Sequence, residues 1–175
     1  GGIEVLIALA RDGTAESKTQ AAWALRNLAC NDDNQVRIAS EGGIEVLIAL
    51  ARDGTAESKT QAAWALRNLA CNDDNQVRIA SEGGIEVLIA LARDGTAESK
   101  TQAAKALIDL ACDNNDNQVR IAAEGGIEVL IALARDGTPE SKTEAAKALC
   151  NLAFDNNDNK VRIAAEGGIE VLIAL

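Results

Sequence analysis

The chain has 175 residues, a formal net charge of −10, 47% hydrophobic and 25% charged residues, which suits a folded globular core. The acidic balance lacks the basic stripe of a nucleic-acid reader, and no apolar run approaches the roughly 20 residues of a membrane span. With no His and no Tyr, neither a Cys–His zinc site nor a Cys–His nucleophile can be built, so the sequence carries no catalytic set, no metal site and no cofactor site.

The segment "GGIEVLIAL" begins at Gly1, Gly42, Gly83, Gly125 and Gly167, so the periods are 41, 41, 42 and 42 residues. A period near 40 built of helix formers indicates a helical solenoid. Residues 1–41 and 42–82 are identical throughout. Drift blurs natural repeats, so this identity points to design, consensus construction or very recent duplication, with design the favoured reading. The chain opens without Met or a signal-peptide pattern, which reads as an excised or engineered segment.

Three helices fit each unit. The stretch "GIEVLIALARDG" gives a helix ending at its last Gly (Gly54 in the second unit), apolar nearly all round except for Glu45, and so expected to be buried on several sides. Next comes "TAESKTQAAWALRNLAC", from Thr14 to about Cys30, with Thr14 as N-cap. The fourth unit reads "TPES", which puts Pro139 at the first helical position, where its missing N–H costs nothing. The short helix lies in "NDDNQVRIASEGG": Asp or Asn at 31–33 caps it and Gly42 ends it in the left-handed conformation. Cys30, Cys71, Cys112 and Cys150 are expected to be free, half-buried thiols, since three of them stand one unit apart, about 10 Å for stacked helices. Free thiols are compatible with a reducing compartment.

Helical phase picks out one face. With Leu25 at zero and about 100° per residue, Ala21, Ala22, Leu28 and Ala29 form the core stripe and Trp23 falls about 160° away. Gln20 and Asn27 lie beside it. Trp64 with Gln61 and Asn68 repeats the arrangement. Flat indole faces grip aliphatic stems and hold cations, and an amide can pair with both groups of an extended backbone. The plain alternatives are contact between neighbouring third helices and solvated polar decoration.

The unit of about 41 residues, the Gly-Gly turn before the second helix and "WALRN" near the end of the third resemble armadillo repeats over the whole chain, with importin-α and designed armadillo peptide binders nearest in pattern. The resemblance implies an all-α, right-handed armadillo-type solenoid over residues 1–175, with incomplete first and last units. It also implies that Trp23, Asn27, Trp64 and Asn68 match a peptide-binding ladder on the concave third-helix face. Gln20 and Gln61 match a position where designed members often carry Glu to receive Lys or Arg. The later units depart: Gln102, Lys105 and Asp109, then Glu144, Lys147 and Asn151, stand at those places. The groove is therefore divided into an aromatic and a charged half, or it is an undeveloped scaffold surface.

Other signals have simpler meanings. Asp113, Asn115, Asn117 and Glu124 mimic a calcium loop, but Gln118 stands where the loop needs Gly, and helix capping accounts for the Asp and Asn. Arg26 and Arg67 are expected to form salt bridges between units. The expected partner is an extended peptide or protein tail, preferably carrying Lys or Arg. The competing expectation is a scaffold without an evolved ligand, whose bare ends associate weakly head to tail.

Overall fold

The computed structural model describes residues 1–175 as thirteen α-helices and no strand. In chain order they are α1 (Gly2–Asp12), α2 (Ala15–Leu28), α3 (Asp32–Ser40), α4 (Gly43–Asp53), α5 (Ala56–Leu69), α6 (Asp73–Ser81) and α7 (Gly84–Asp94). They continue with α8 (Ala97–Ala111), α9 (Asn115–Ala123), α10 (Gly126–Asp136), α11 (Pro139–Ala153), α12 (Asn157–Ala165) and α13 (Gly168–Ile173). The short, medium and long helices fall where the repeat pattern places them.

The helix ends explain the boundaries. Thr14, Thr55, Thr96 and Thr138 each accept the backbone N–H three residues on, at 3.1 to 3.2 Å, and Pro139 opens α11. Each short helix is capped by an Asn: Asn31, Asn72, Asn114 and Asn156 accept the N–H groups of Asn34, Asn75, Asn117 and Asn159. Between short and medium helices, Gly42, Gly83, Gly125 and Gly167 take φ values of 78° to 83°, the left-handed region that glycine enters without a Cβ penalty. The glycine after it is needed for another reason. A Cβ on Gly84 would stand 2.5 Å from Ile79 Cγ2 and 2.8 Å from the Ile79 carbonyl oxygen.

Each long helix packs on the medium helix of its own unit and on the long helices of its neighbours, so α2, α5, α8 and α11 form a continuous row. One apolar core runs from Ile3 to Val171. Leu47, Leu66, Leu88 and Leu107 are fully buried in it, each contributing about 1.5–3 kcal/mol relative to exposure. No unit can bury these faces alone, which makes neighbouring units the source of stability. Polar ties cross the seams as well. Thr60 and Ser99 share a buried hydroxyl hydrogen bond of 2.6 Å. Gln76 Nε2 donates to the Ala70 carbonyl of its own unit and the Asp109 carbonyl of the next, both at 3.1 Å. The interior medium helices are buried on several sides, as α4 shows at Ile44, Val46, Leu47, Ile48, Leu50 and Ala51.

Two expectations are corrected. All four cysteines are exposed, not half-buried. Cys30 and Cys71 lie in the turn beyond the last helical residue, after the core stripe has ended, and Cys150 lies on the outward side of α11. Arg26 makes no ion pair; it turns to Gln61 and Trp64. Its twin Arg67 does pair across the seam, with Asp109 at 3.3 Å. At the two ends, Val5 and Leu9 of α1 and Ile169, Leu172 and Ile173 of α13 are exposed. No helix is long and apolar enough to cross a membrane.

Candidate functional site

The residues singled out from the sequence occupy spacing i, i+3 and i+7 on their helices, which places each set on one face. Gln20, Trp23 and Asn27 are carried by α2; Gln61, Trp64 and Asn68 by α5; Gln102, Lys105 and Asp109 by α8; and Glu144, Lys147 and Asn151 by α11. Because those four helices stand in a row, the twelve side chains make one surface. Its two halves differ in chemistry.

In the first half, Trp23 is 48% exposed, as its phase predicts, and Gln20 and Asn27 are exposed beside it. Trp64 is only half-buried, but its ring has an occupant. The Arg26 guanidinium carbon lies 3.9 Å from the ring centre, while Nη1 donates to Gln61 Oε1 at 2.9 Å and Nε to Asn27 Oδ1 at 3.3 Å. An Arg three residues after a Trp reaches the next unit's ring, a relation that the linear repeat does not display.

The second half is knitted by charge. Arg67 Nε donates to Asp109, Lys105 Nζ to Glu140 at 2.8 Å, and Lys147 Nζ to Glu144 at 3.0 Å. Burial pushes the Asp109 carboxyl up; the Arg67 charge and hydrogen bond oppose this without cancelling it, and the nearby Glu144 charge adds to the rise. The hydrogen bond and charge of Lys105 hold Glu140 below the usual carboxylate range. Gln102 is 5% exposed, and its Oε1 has no hydrogen-bond donor. Such an acceptor is costly to bury unmatched.

The asparagines also serve the fold. Asn68 Nδ2 donates to the Arg26 carbonyl at 3.0 Å and Asn151 Nδ2 to the Ile108 carbonyl at 3.3 Å, each reaching back to the preceding long helix. Their amide oxygens make no hydrogen bond within the chain. Asp109 has no N–H to offer at the equivalent place. The calcium-like stretch is occupied by capping: Asn117 receives its cap from Asn114, and its Nδ2 donates to the Leu110 carbonyl at 2.9 Å.

A cleft of about 740 Å³ opens on this surface, walled by Trp64 from α5, by Glu98, Thr101, Gln102 and Lys105 from α8, and by Glu140 at the start of α11. Glu98 and Glu140 escaped the sequence reading because each sits in a first turn, where an acidic residue already supports the helix dipole. Better-enclosed grooves of about 410 to 570 Å³ recur between successive medium helices, away from the Trp and Asn residues. The convergent polar and aromatic groups lie on the long-helix face, which is the candidate site.

Fold and surface together define an α-helical repeat protein that presents a graded aromatic and charged face. The Armadillo/beta-catenin-like repeat family matches residues 1–30, 31–71 and 114–154, more than half of the chain, and the chain belongs to that family. Among solved structures it is similar to an engineered protein from a structural-genomics programme, at 33% identity and a TM-score of 0.95, covering 100% of this chain and 72% of that one. It is also similar to a designed armadillo repeat protein in complex with the peptide (KR)4, at 27% identity and a TM-score of 0.94, covering 100% of this chain and 74% of that one. Computationally designed armadillo repeat proteins for modular peptide recognition match at 25% identity and a TM-score of 0.94, over 100% of this chain and 74% of theirs. A comparison with curated protein sequences found no match.

Proposed function

We propose that the chain is an engineered, non-enzymatic peptide-binding scaffold that holds an extended, Lys- or Arg-containing peptide along the concave face of α2, α5, α8 and α11. The carrying observation is the alignment of Trp23, Trp64 and the Asn residues along one row of helices. Trp23 offers an open ring for an aliphatic stem. Asn68 and Asn151 retain amide oxygens that can accept peptide N–H groups, although their donors are already engaged, while the Asn27 oxygen already accepts from Arg26 Nε at 3.3 Å. The charge of −10 favours a basic ligand through long-range attraction. The peptide bound by one designed relative, (KR)4, has that chemistry. Indole fluorescence titrated with basic, acidic and neutral extended peptides tests the reading. A saturable change with the basic peptide alone is expected, and equal responses to all three would refute it.

A second reading, head-to-tail association of the 175-residue chain, draws on the exposed apolar side chains of α1 and α13, which come from the same repeating interface. Light scattering would show mass rising with concentration, and a constant monomer mass at millimolar protein would end it.

A further inference from the structure

Arg26 and Arg67 are the same residue of the repeat, one unit apart, yet they do different things. Arg26 lies over Trp64 and donates to Gln61 Oε1 at 2.9 Å. At the next seam Lys105 stands where the ring would be, and a lysine repels a guanidinium. Arg67 turns instead to Asp109 at 3.3 Å. The glutamine of that unit, Gln102, is left with no donor for its Oε1, although the residue is 5% exposed. The first seam therefore displays how this surface holds a guanidinium: a Gln carbonyl at its edge and an indole face beneath. The second seam has the carbonyl without the guanidinium.

Gln102 lines the cleft of about 740 Å³ with Trp64 as one wall. Lys105 is matched by Glu140 at 2.8 Å, which leaves Glu98 to give the cleft a net negative charge. The terminal torsion of a Gln is broad and roughly two-fold, so turning the amide over exchanges its two ends and brings Oε1 to the opening. Resting on the peptide-groove reading, we infer that Arg26 is a built-in occupant of the recess at Trp64, and that a ligand's arginine seats one unit along, at Gln102 and Glu98. Arginine suits that seat better than lysine, because its planar fork can meet a carbonyl and a carboxylate together while lying against the indole. Arg26 is thus a specificity-determining residue: it removes one cation seat from the groove and fixes the register of the peptide against the next.

The test uses the full chain, the peptide (KR)4 and an all-lysine peptide of equal length. Gln102→Leu keeps the volume and removes the unmatched acceptor, so folding is preserved. It is expected to weaken (KR)4 binding by on the order of tenfold while leaving the all-lysine peptide nearly unchanged. Arg26→Leu is expected to bind (KR)4 at least as tightly as the parent, since the recess at Trp64 is released. Parent binding with an unaltered Gln102→Leu variant overturns the inference and leaves the groove reading standing. Loss of binding in Arg26→Leu also overturns it, by making Arg26 a ligand contact. A parent that binds neither peptide overturns the groove reading and the inference with it.

Discussion

The Arg26 guanidinium carbon stands 3.9 Å from the centre of the Trp64 ring, and the two residues belong to different units of the repeat. The contact joins α2 to α5 across a half-exposed seam, where a cation over an indole contributes about 0.5–1 kcal/mol. Urea unfolding of Arg26→Ala, Trp64→Ala and the double variant should return a coupling of that size. Strictly additive losses would show that the contact does not form in solution.

Asp109 stands where other units have Asn, and its carboxyl is raised by burial more than Arg67 lowers it. A raised carboxyl favours the folded state only when protonated, so the ionised group is a standing cost at neutral pH, relieved as pH falls through its raised value. Asp109→Asn removes that cost and supplies a donor for the Arg67 carbonyl, as Asn68 does for Arg26. The surface-exposed part of the ion pair it loses is worth little. The variant should be more stable at pH 7 by about 0.5–1.5 kcal/mol, with the gain shrinking toward pH 4. Denaturant midpoints across that range check it, and a variant less stable at pH 7 would contradict it.

The fold was legible because one apolar segment recurs five times, and one Thr cap and one Gly-Gly turn four times, in register; nothing competes with them locally. The site was legible only as far as phase reaches. Trp23 is exposed as its angle requires, because a residue opposite the core stripe has nothing to cover it. Which partner Arg26 would choose was not legible: reach across a seam depends on interhelical geometry, and the next unit offers Trp64 and Gln61 to Arg26 but Lys105 and Asp109 to Arg67. The unmatched Oε1 of Gln102 has the same origin: Arg67 turns to Asp109 and does not give Gln102 the hydrogen bond that Arg26 gives Gln61, a non-local fact absent from the repeat pattern. Cys30, Cys71 and Cys112 were misplaced because the long helix ends one or two residues before each, and phase carries no information past a helix end.

Gly84 opens the medium helix α7 where the end of the short helix α6 comes close to it. Its missing Cβ would meet Ile79 at 2.5 Å and Ile48 Cδ1 at 3.3 Å. Gly84→Ala should cost about 1–3 kcal/mol through overpacking, despite the better helix propensity of Ala. Thermal melting measures it, and an unchanged or raised midpoint would show that the seam relaxes freely.

Burial pushes the Glu86 carboxyl up, but the Arg120 hydrogen bond, its own backbone N–H and the Arg120 and Arg52 charges outweigh this and hold it low. Burial pushes Glu128 up as well, and its own backbone N–H and Arg162 outweigh this and hold it low. A lowered carboxyl contributes stability that is present above the ordinary Glu value, near 4.3, and is lost as pH falls through the lowered one. The parent should therefore lose stability between about pH 5 and pH 3. Glu86→Gln with Glu128→Gln should lose less over that window. Equal slopes in the two proteins would exclude these pairs as the acid-sensitive ties.

The account stands on the long-helix face being a peptide groove read by its indoles. Calorimetric titration of the parent and of the Trp23→Ala, Trp64→Ala double variant with (KR)4 tests this most directly. The predicted result is binding by the parent and a loss of about 1–3 kcal/mol in the double variant, the range of interface aromatics. Equal affinity in the two proteins would contradict the assignment of the groove.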